Sequence, residues 1–166
     1  MKRFRKTAAA IFVLNFAFAI PVIARNSPAR AKNGMVVSQD AIASQVGVDV
    51  MKIGGNAIDA AVATAFALAV THPTAGNIGG GGFLVYRPAV GEPIVYDFRE
   101  MAPNKSFDTM WLDENGEYSH ERHALSHISI GVPGTVAGLH LAWKEKGSLS
   151  WERLMKPAIR LAHELS

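Results

Sequence analysis

The chain has 166 residues, of which 49% are hydrophobic, and 17 Lys and Arg against 14 Asp and Glu give a formal net charge of +3. This length suits about one domain, and the apolar content suits a packed core and excludes a disordered tail. The sequence contains no cysteine, which excludes a disulfide scaffold, a cysteine-ligated metal site and a thiol nucleophile.

The first 24 residues have the pattern of a secretory signal peptide. A basic start (Lys2, Arg3, Arg5 and Lys6) precedes an uncharged apolar run from Thr7 to Ala24, which ends in the cleavage-like Val22-Ile23-Ala24. A membrane anchor is the alternative, but the run is at the short limit for crossing a bilayer and contains Asn15. We therefore predict that residues 1–24 are removed and that no stable membrane anchor remains.

The location of the positive charge changes the expected partners. Without the four basic residues of the signal segment, the formal charge of +3 becomes −1. Nucleic-acid binding by a general basic field therefore loses its support, and no nucleic acid is expected as a partner. The protein is predicted to be secreted, with the bacterial periplasm as its expected location.

The chain after the signal segment begins with a polar stretch and a helix. Residues 25–33 contain Pro28 and lack an apolar period, which predicts a flexible leader. A short strand is predicted at residues 35–38. A helix is predicted to open at Gln39-Asp40 and to stop at Gly54-Gly55, with one apolar face formed by Ile42, Val46, Val50 and Ile53.

A second helix and a hairpin follow. Asn56 is a plausible N-cap for a helix over residues 57–71, which is apolar nearly all round and therefore expected to be buried on most sides. Residues 83–86 and 94–98 predict an antiparallel hairpin. Strand alternation places Tyr96 and Phe98 on one face, with Asp97 and Arg99 on the other.

The second half of the chain is predicted to be less regular before two final helices. We expect a short helix near residues 108–112 and a turn at residues 113–116. Thr135 is predicted to cap a helix over residues 136–146, which Gly147 ends. Ser150 is predicted to cap a last helix that meets Pro157 and continues to the end of the sequence.

Four consecutive glycines, residues 79–82, are the most conspicuous local feature. They precede a strand, and no Lys, Ser or Thr follows them, so neither phosphate-binding glycine pattern is met. The favoured interpretation is a loop that needs a positive φ or the close approach of another segment or ligand.

Other candidate sites are weak when judged from the residues alone. His120, His123 and His127 have helical spacing but no paired carboxylate motif, so a metal site is not favoured. His72 is expected to end its helix. G-x-S-x-G is absent, and Asp40, Asp59 and Asp97 are too scattered to indicate an acid–base pair. No catalytic nucleophile, metal or cofactor is therefore expected in this chain.

Arg99 follows the second predicted strand and has two possible roles. Its planar fork of donors could bind a carboxylate. The alternative is a surface ion pair with Asp97 or Glu100, and the residues alone favour that ion pair.

Several stretches carry a family resemblance across roughly residues 31–165. In order, they are GMVVSQDAIASQVGVDVMKIGGNAIDAAVATAFALAVTHP, GNIGGGGF, DFREMAP and GVPGTVAGLHLAWKEKG. Together they resemble the N-terminal part of the large subunit of gamma-glutamyltranspeptidase (glutathione hydrolase). Residues 34–166 are accordingly expected to be a truncated N-terminal portion of that subunit.

The resemblance implies an α/β (α+β) fold that is an incomplete N-terminal nucleophile hydrolase αββα sandwich. Family members are exported precursors that cleave themselves into two subunits. An N-terminal threonine of the small subunit attacks the γ-glutamyl amide of glutathione, and water, an amino acid or a peptide resolves the acyl-enzyme. The implied partners are thus γ-glutamyl compounds, acceptor amino acids or peptides, and the small subunit.

The resemblance implies a substrate contact for one residue of this chain. Arg99 matches the arginine that binds the α-carboxylate of the γ-glutamyl group, which reverses the preference for a surface ion pair. The catalytic threonine has no counterpart in this chain, so the chain alone is expected to be inactive. Two alternatives remain, a fragment of a related glutaryl or cephalosporin acylase, and a non-catalytic exported binding protein.

Overall fold

The computed structural model describes residues 28–165. The predicted signal peptide at residues 1–24 lies outside the described residues, as does the start of the predicted leader. From Lys32 onward the chain packs as one unit. None of the helices among residues 28–165 combines the length and the apolar character that a bilayer span requires.

The described residues form helices and a small sheet. The helices are α1 (Ala41–Lys52), α2 (Ala57–Thr71), α3 (Thr135–Lys146) and α4 (Trp151–Glu164), and the strands are β1 (Phe83–Tyr86) and β2 (Ile94–Asp97). A π-helical turn (Glu121–Leu125) and a 3₁₀ turn (His127–Ser129) lie between β2 and α3. The core is made mainly by α2, which packs against α1, α3 and α4.

Helix α1 begins where the sequence predicts, but its buried face differs from the predicted one. The Asp40 carboxylate caps the helix by accepting the Ala43 amide at 2.9 Å, and this hydrogen bond lowers the pKa of Asp40. Val46 and Val50 are buried as predicted, whereas Ile42 and Ile53 are 48% and 53% exposed. Helix α2 packs closely against α1 at Gly47, where an added Cβ atom would collide with Thr64 Oγ1.

The connections around α1 give one confirmation and one correction. Gly54 follows the helix with a φ of +97°, which confirms the predicted glycine stop. The predicted strand at residues 35–38 is wrong, since no strand among the described residues pairs with that segment. Val36 of this segment packs against the core without belonging to a strand.

Helix α2 and its cap match the prediction. The Asn56 side chain accepts the amides of Ile58 and Asp59 at 2.9 and 3.0 Å, and the Asp59 carboxylate accepts the Asn56 amide at 2.9 Å. This reciprocal arrangement is a capping box. The helix is buried on most sides, as its all-round apolar composition predicts.

The hairpin also matches the prediction. Strands β1 and β2 are antiparallel, with Leu84 opposite Tyr96. Tyr96 is 6% exposed on the inner face while Asp97 is exposed, which confirms the predicted alternation. The Tyr96 hydroxyl donates a 2.9 Å hydrogen bond to Oε2 of Glu145 on α3, so the hairpin is attached to that helix.

Two predictions in the second half need correction. Residues 108–112 form successive turns and not a helix, because Leu112 pairs with Tyr118 across the turn at residues 113–116. Helix α3 begins at Thr135 with Gly134 as its cap residue, so Thr135 is not the N-cap. Its hydroxyl is engaged elsewhere, with Asn77.

The end of the chain follows the prediction more closely. Gly147 ends α3, as predicted, and Ser150 precedes α4, although its side chain makes no capping hydrogen bond. Helix α4 continues past Pro157 to Glu164.

Candidate functional site

Arg99 lies just beyond the end of β2, where its backbone is fixed from both sides. The Phe98 amide donates to the Gly82 carbonyl at 3.0 Å, which prolongs the hairpin pairing. Met101 and Val132 exchange two backbone hydrogen bonds of 3.2 and 2.8 Å. The Arg99 amide itself donates to Oδ1 of Asp97 at 3.1 Å. The main chain at Arg99 is therefore held in a defined position.

The run of glycines supports this position by close packing. A Cβ atom on Gly81 would lie 2.5 Å from the Phe98 carbonyl oxygen, 2.6 Å from the Glu100 nitrogen and 2.8 Å from the Arg99 Cα. Real Cβ atoms do not approach backbone this closely, so only glycine fits at Gly81. The predicted close approach of another segment is thus confirmed, and the approaching segment is the one that carries Arg99.

Asn77 joins the glycine run to the start of α3. Its Oδ1 accepts the Gly80 amide at 2.7 Å and the Thr135 hydroxyl at 3.1 Å, and its Nδ2 donates to the Ala75 carbonyl at 3.1 Å. The Gly80 carbonyl in turn accepts the amides of Gly134 and Thr135 at 2.8 and 3.0 Å. No role for Asn77 is predicted from the sequence, although an Asn shortly before a glycine run is typical of side chains that bind nearby backbone amides.

The Arg99 side chain is exposed, and its guanidinium has no hydrogen bond or ion pair with any residue in the range 28–165. The ion pair with Asp97 or Glu100, which the residues alone favoured, is therefore not formed. Asp97 instead accepts the Arg99 backbone amide. Among the described residues, none occupies any of the five N–H donors of the guanidinium fork.

An open cavity of about 450 Å³ lies next to this segment, between α2, β1 and the start of α3. Its wall includes Gly81, Gly82, Phe98 and Thr135, but Arg99 does not line it. The cavity therefore does not itself form a pocket for a ligand bound to the Arg99 guanidinium.

The three histidines with helical spacing do not come together as a ligand set. His123 Nδ1 lies 2.7 Å from the Tyr118 hydroxyl, and its ring packs 4.9 Å from that of Trp111. Within the described ranges, no group of three or more metal-ligating side chains is assembled.

The other residues considered from the sequence have separate structural places. His72 is the C-cap residue of α2, as predicted. Asp40 caps α1, Asp59 is buried at the start of α2, and Asp97 is exposed on the hairpin. The three carboxylates thus form no acid–base pair.

Comparison with known proteins gives a family match over most of the chain. The family profile described as Gamma-glutamyltranspeptidase matches residues 43–164. The chain is 52% identical over 137 residues to the glutathione hydrolase proenzyme of Escherichia coli (strain K12), covering 82% of this chain and 24% of that protein. It is 44% identical over 135 residues to the glutathione hydrolase proenzyme of Bacillus subtilis (strain 168), covering 80% and 23%. The chain thus spans about a quarter of the length of these curated relatives.

Solved structures confirm the predicted fold class. The Helicobacter pylori gamma-glutamyltranspeptidase superposes with a TM-score of 0.78 at 47% identity, covering 81% of this chain and 39% of that chain. A cephalosporin acylase from Bacillus halodurans superposes with a TM-score of 0.63 at 33% identity, covering 84% and 26%. The helices and hairpin described above are therefore part of an α+β N-terminal nucleophile hydrolase fold.

Proposed function

Because the chain belongs to the gamma-glutamyltranspeptidase family, we propose that it is the N-terminal part of the large subunit of a γ-glutamyltransferase/glutathione hydrolase. The activity is cleavage of the γ-glutamyl amide of glutathione and transfer of the glutamyl group to water, amino acids or peptides. Arg99 carries this proposal, because its guanidinium is exposed and unpaired among residues 28–165 at the end of a fixed strand.

Arg99 is assigned to the α-carboxylate of the γ-glutamyl group. A guanidinium can bind a carboxylate through two parallel N–H···O bonds, which fixes the orientation of the bound group as well as its charge. The backbone hydrogen bonds on both sides of Arg99 restrict the positions that its guanidinium can reach. The γ-carbonyl of the substrate would then be held at a set distance from the α-carboxylate.

The chemistry requires a nucleophile that is not assigned to any residue of this chain. A threonine hydroxyl of the small subunit adds to the γ-carbonyl and its proton passes to a base. The base then gives that proton to the amide nitrogen as the C–N bond breaks, which releases the amine and leaves the threonine ester. Water or an acceptor amine then displaces the threonine oxygen from the ester. The small subunit from the same precursor is therefore the proposed partner, in agreement with the name "proenzyme" of the curated relatives.

Export to the periplasm is part of the same proposal. The basic start, the apolar run and the cleavage-like exit of residues 1–24 support it. N-terminal sequencing of the exported protein tests it, with Arg25 expected as the first residue. A first residue upstream of Thr7 would contradict removal of the segment.

The test of Arg99 uses a chimeric proenzyme, in which residues 28–165 of this chain replace the matching part of the Escherichia coli relative. Arg99→Ala is expected to raise KM for a γ-glutamyl anilide about ten- to one-hundredfold, since hydrogen bonds to charged groups contribute roughly 1.5–3 kcal/mol. Arg99→Lys keeps the charge but loses the fork, so an intermediate KM is expected. Arg87→Ala is the matched control, since it removes an exposed arginine from the other end of the hairpin.

Three outcomes would contradict the proposal. An unchanged KM in Arg99→Ala would remove Arg99 from the binding site. A mature chimera that cleaves a glutaryl anilide but not a γ-glutamyl anilide would instead support the acylase alternative. A folded chimera that binds but cleaves neither compound would support the non-catalytic alternative.

A further inference from the structure

We propose that Asn77 is a positioning residue for Arg99, acting through the glycine run. This inference rests on the function proposed above, because it concerns the arginine assigned to the donor carboxylate. Asn77 is not assigned a contact with the substrate. Its role is to hold Gly80 and Gly81 where they support the backbone of Arg99.

The first step is the attachment of the glycine run to Asn77. Its Oδ1 receives two hydrogen bonds, from the Gly80 amide and the Thr135 hydroxyl, and its Nδ2 is bound to the Ala75 carbonyl. The amide group is therefore oriented at both of its ends. Asn77 links three separate parts of the chain, namely the loop after α2, the glycine run and the first residue of α3.

The second step is the attachment of the glycine run to α3. The Gly80 carbonyl accepts two amides from the beginning of that helix. A Cβ atom on Gly134 would collide with the Phe98 carbonyl, and one on Gly138 would collide with the Phe98 ring. The start of α3, the glycine run and Phe98 thus meet in one tightly packed junction.

The third step connects this junction to Arg99. Gly81 lies against the Arg99 Cα so closely that even a methyl group would not fit. Any displacement of Gly81 therefore either pushes the Arg99 backbone or leaves it unsupported. A guanidinium binds a carboxylate through two hydrogen bonds only within a narrow range of orientations. A small displacement of Arg99 therefore weakens binding of the γ-glutamyl donor.

The exposure of Asn77 makes the effect separable from folding. Asn77 lies at the surface, so water can replace its hydrogen bonds when the side chain is removed. A large loss of stability is therefore not expected for Asn77→Ala. The expected consequence is a less well-defined position of the glycine run, and hence weaker binding of the γ-glutamyl donor.

The experiment measures the steady-state kinetics of the chimeric proenzyme with a γ-glutamyl anilide. Asn77→Ala is expected to raise KM about three- to tenfold with kcat changed less than about twofold, because a displaced Arg99 loses only part of the binding free energy that a hydrogen bond to a charged group contributes. Asn77→Asp keeps an acceptor for the Gly80 amide and the Thr135 hydroxyl but loses the donor to the Ala75 carbonyl, so its KM is expected to lie between those of the parent and Asn77→Ala. Ile78→Ala is the matched control, since the neighbouring Ile78 side chain is exposed.

A double-mutant cycle distinguishes positioning from a general structural role. In an Arg99→Ala background, Asn77→Ala is expected to change kcat/KM by less than about twofold, because the group that it positions is gone. An equal loss in both backgrounds, or an unchanged KM in the single variant, would overturn the proposal. If Asn77→Ala does not mature, Thr135→Val removes one partner of Asn77 Oδ1, and an unchanged KM there would overturn it too.

The proposal can fail independently of the proposed function. An effect of Arg99→Ala without an effect of Asn77→Ala rejects the positioning role and leaves the carboxylate site in place. If Arg99→Ala leaves KM unchanged, both the positioning role of Asn77 and the carboxylate site at Arg99 are rejected.

Discussion

The Asp59 carboxylate at the start of α2 accepts the Ser148 hydroxyl at 2.5 Å, although the two residues are 89 positions apart. Asp59 is completely buried, and every group that bonds to it is a donor: the Asn56 amide, the Ser148 amide and hydroxyl, and the Leu149 amide. Asn56 adds a second link, since its Nδ2 donates to the Lys146 carbonyl at 2.6 Å. The N-terminus of α2 is therefore attached to the connection between α3 and α4.

Replacing this carboxylate by an amide is expected to be costly. Asp59→Asn places an NH₂ group against donors that it cannot satisfy, and buried unsatisfied donors cost roughly 1–3 kcal/mol each. We expect the chimeric proenzyme to lose about 3 kcal/mol of stability, seen as a lower midpoint in thermal unfolding. Asp108→Asn, at an exposed position, is the control for the charge change. Equal midpoints for the two variants would contradict the structural role of Asp59.

The glycine run offers a matched pair of substitutions. Gly81→Ala would force a methyl group against the backbone at Arg99, and overpacking of this kind costs roughly 1–3 kcal/mol. A Cβ atom on Gly79 meets nothing within 4 Å, so Gly79→Ala is expected to change stability by less than about 0.5 kcal/mol. Thermal unfolding of the two variants in the chimera measures the difference. A Gly81→Ala protein as stable as Gly79→Ala would show that the approach to Arg99 is looser than described.

The hydrogen bond between Tyr96 and Glu145 predicts an alkaline pH dependence. Burial, and then the hydrogen bond to the Glu145 carboxylate, raise the pKa of Tyr96 above its ordinary value of 10.0. The neutral phenol is thus favoured in the folded state. Its stabilising contribution is present below pH 10.0 and is lost as the pH rises through the raised pKa.

Tyr96→Phe isolates this contribution. At neutral pH the variant is expected to be about 0.5–1.5 kcal/mol less stable, because one hydrogen bond is lost. The difference from the parent should shrink as the pH is raised above 10.0, since the parent alone loses the neutral phenol. The measurement is denaturant unfolding of the chimeric proenzyme and its Tyr96→Phe variant at a series of pH values, with phenolate absorbance recorded in parallel. A difference that stays constant above that pH would contradict the raised pKa.

The elements that the sequence predicts correctly depend on short-range chemistry. Asn56 caps α2 because its side chain reaches amides only two and three residues away. The alternation that buries Tyr96 and exposes Asp97 follows from the two-residue period of a strand. Gly54 ends the first helix because glycine adopts a positive φ at little cost.

The predictions that fail depend on what lies alongside an element. Ile42 and Ile53 have helical spacing but are exposed, whereas α2 packs against the part of α1 that contains Gly47, which has no room for a Cβ atom. The apolar segment at residues 35–38 has strand composition, yet no described strand lies beside it to share hydrogen bonds. Composition indicates that such residues can be buried or paired, whereas the neighbouring elements decide whether they are.

By itself, the sequence determined helices α1 to α4, the hairpin, the family resemblance and the choice of Arg99 as the candidate site residue. Only the tertiary structure decided how that arginine is presented. Asp97 binds the Arg99 amide in place of its guanidinium, and Gly81 packs beneath the Arg99 Cα. The hydrogen bonds of Asn77 were also decided only there, because its bond to Thr135 spans 58 positions. Contacts over such separations depend on how the helices and the hairpin pack, which no local pattern of residues specifies.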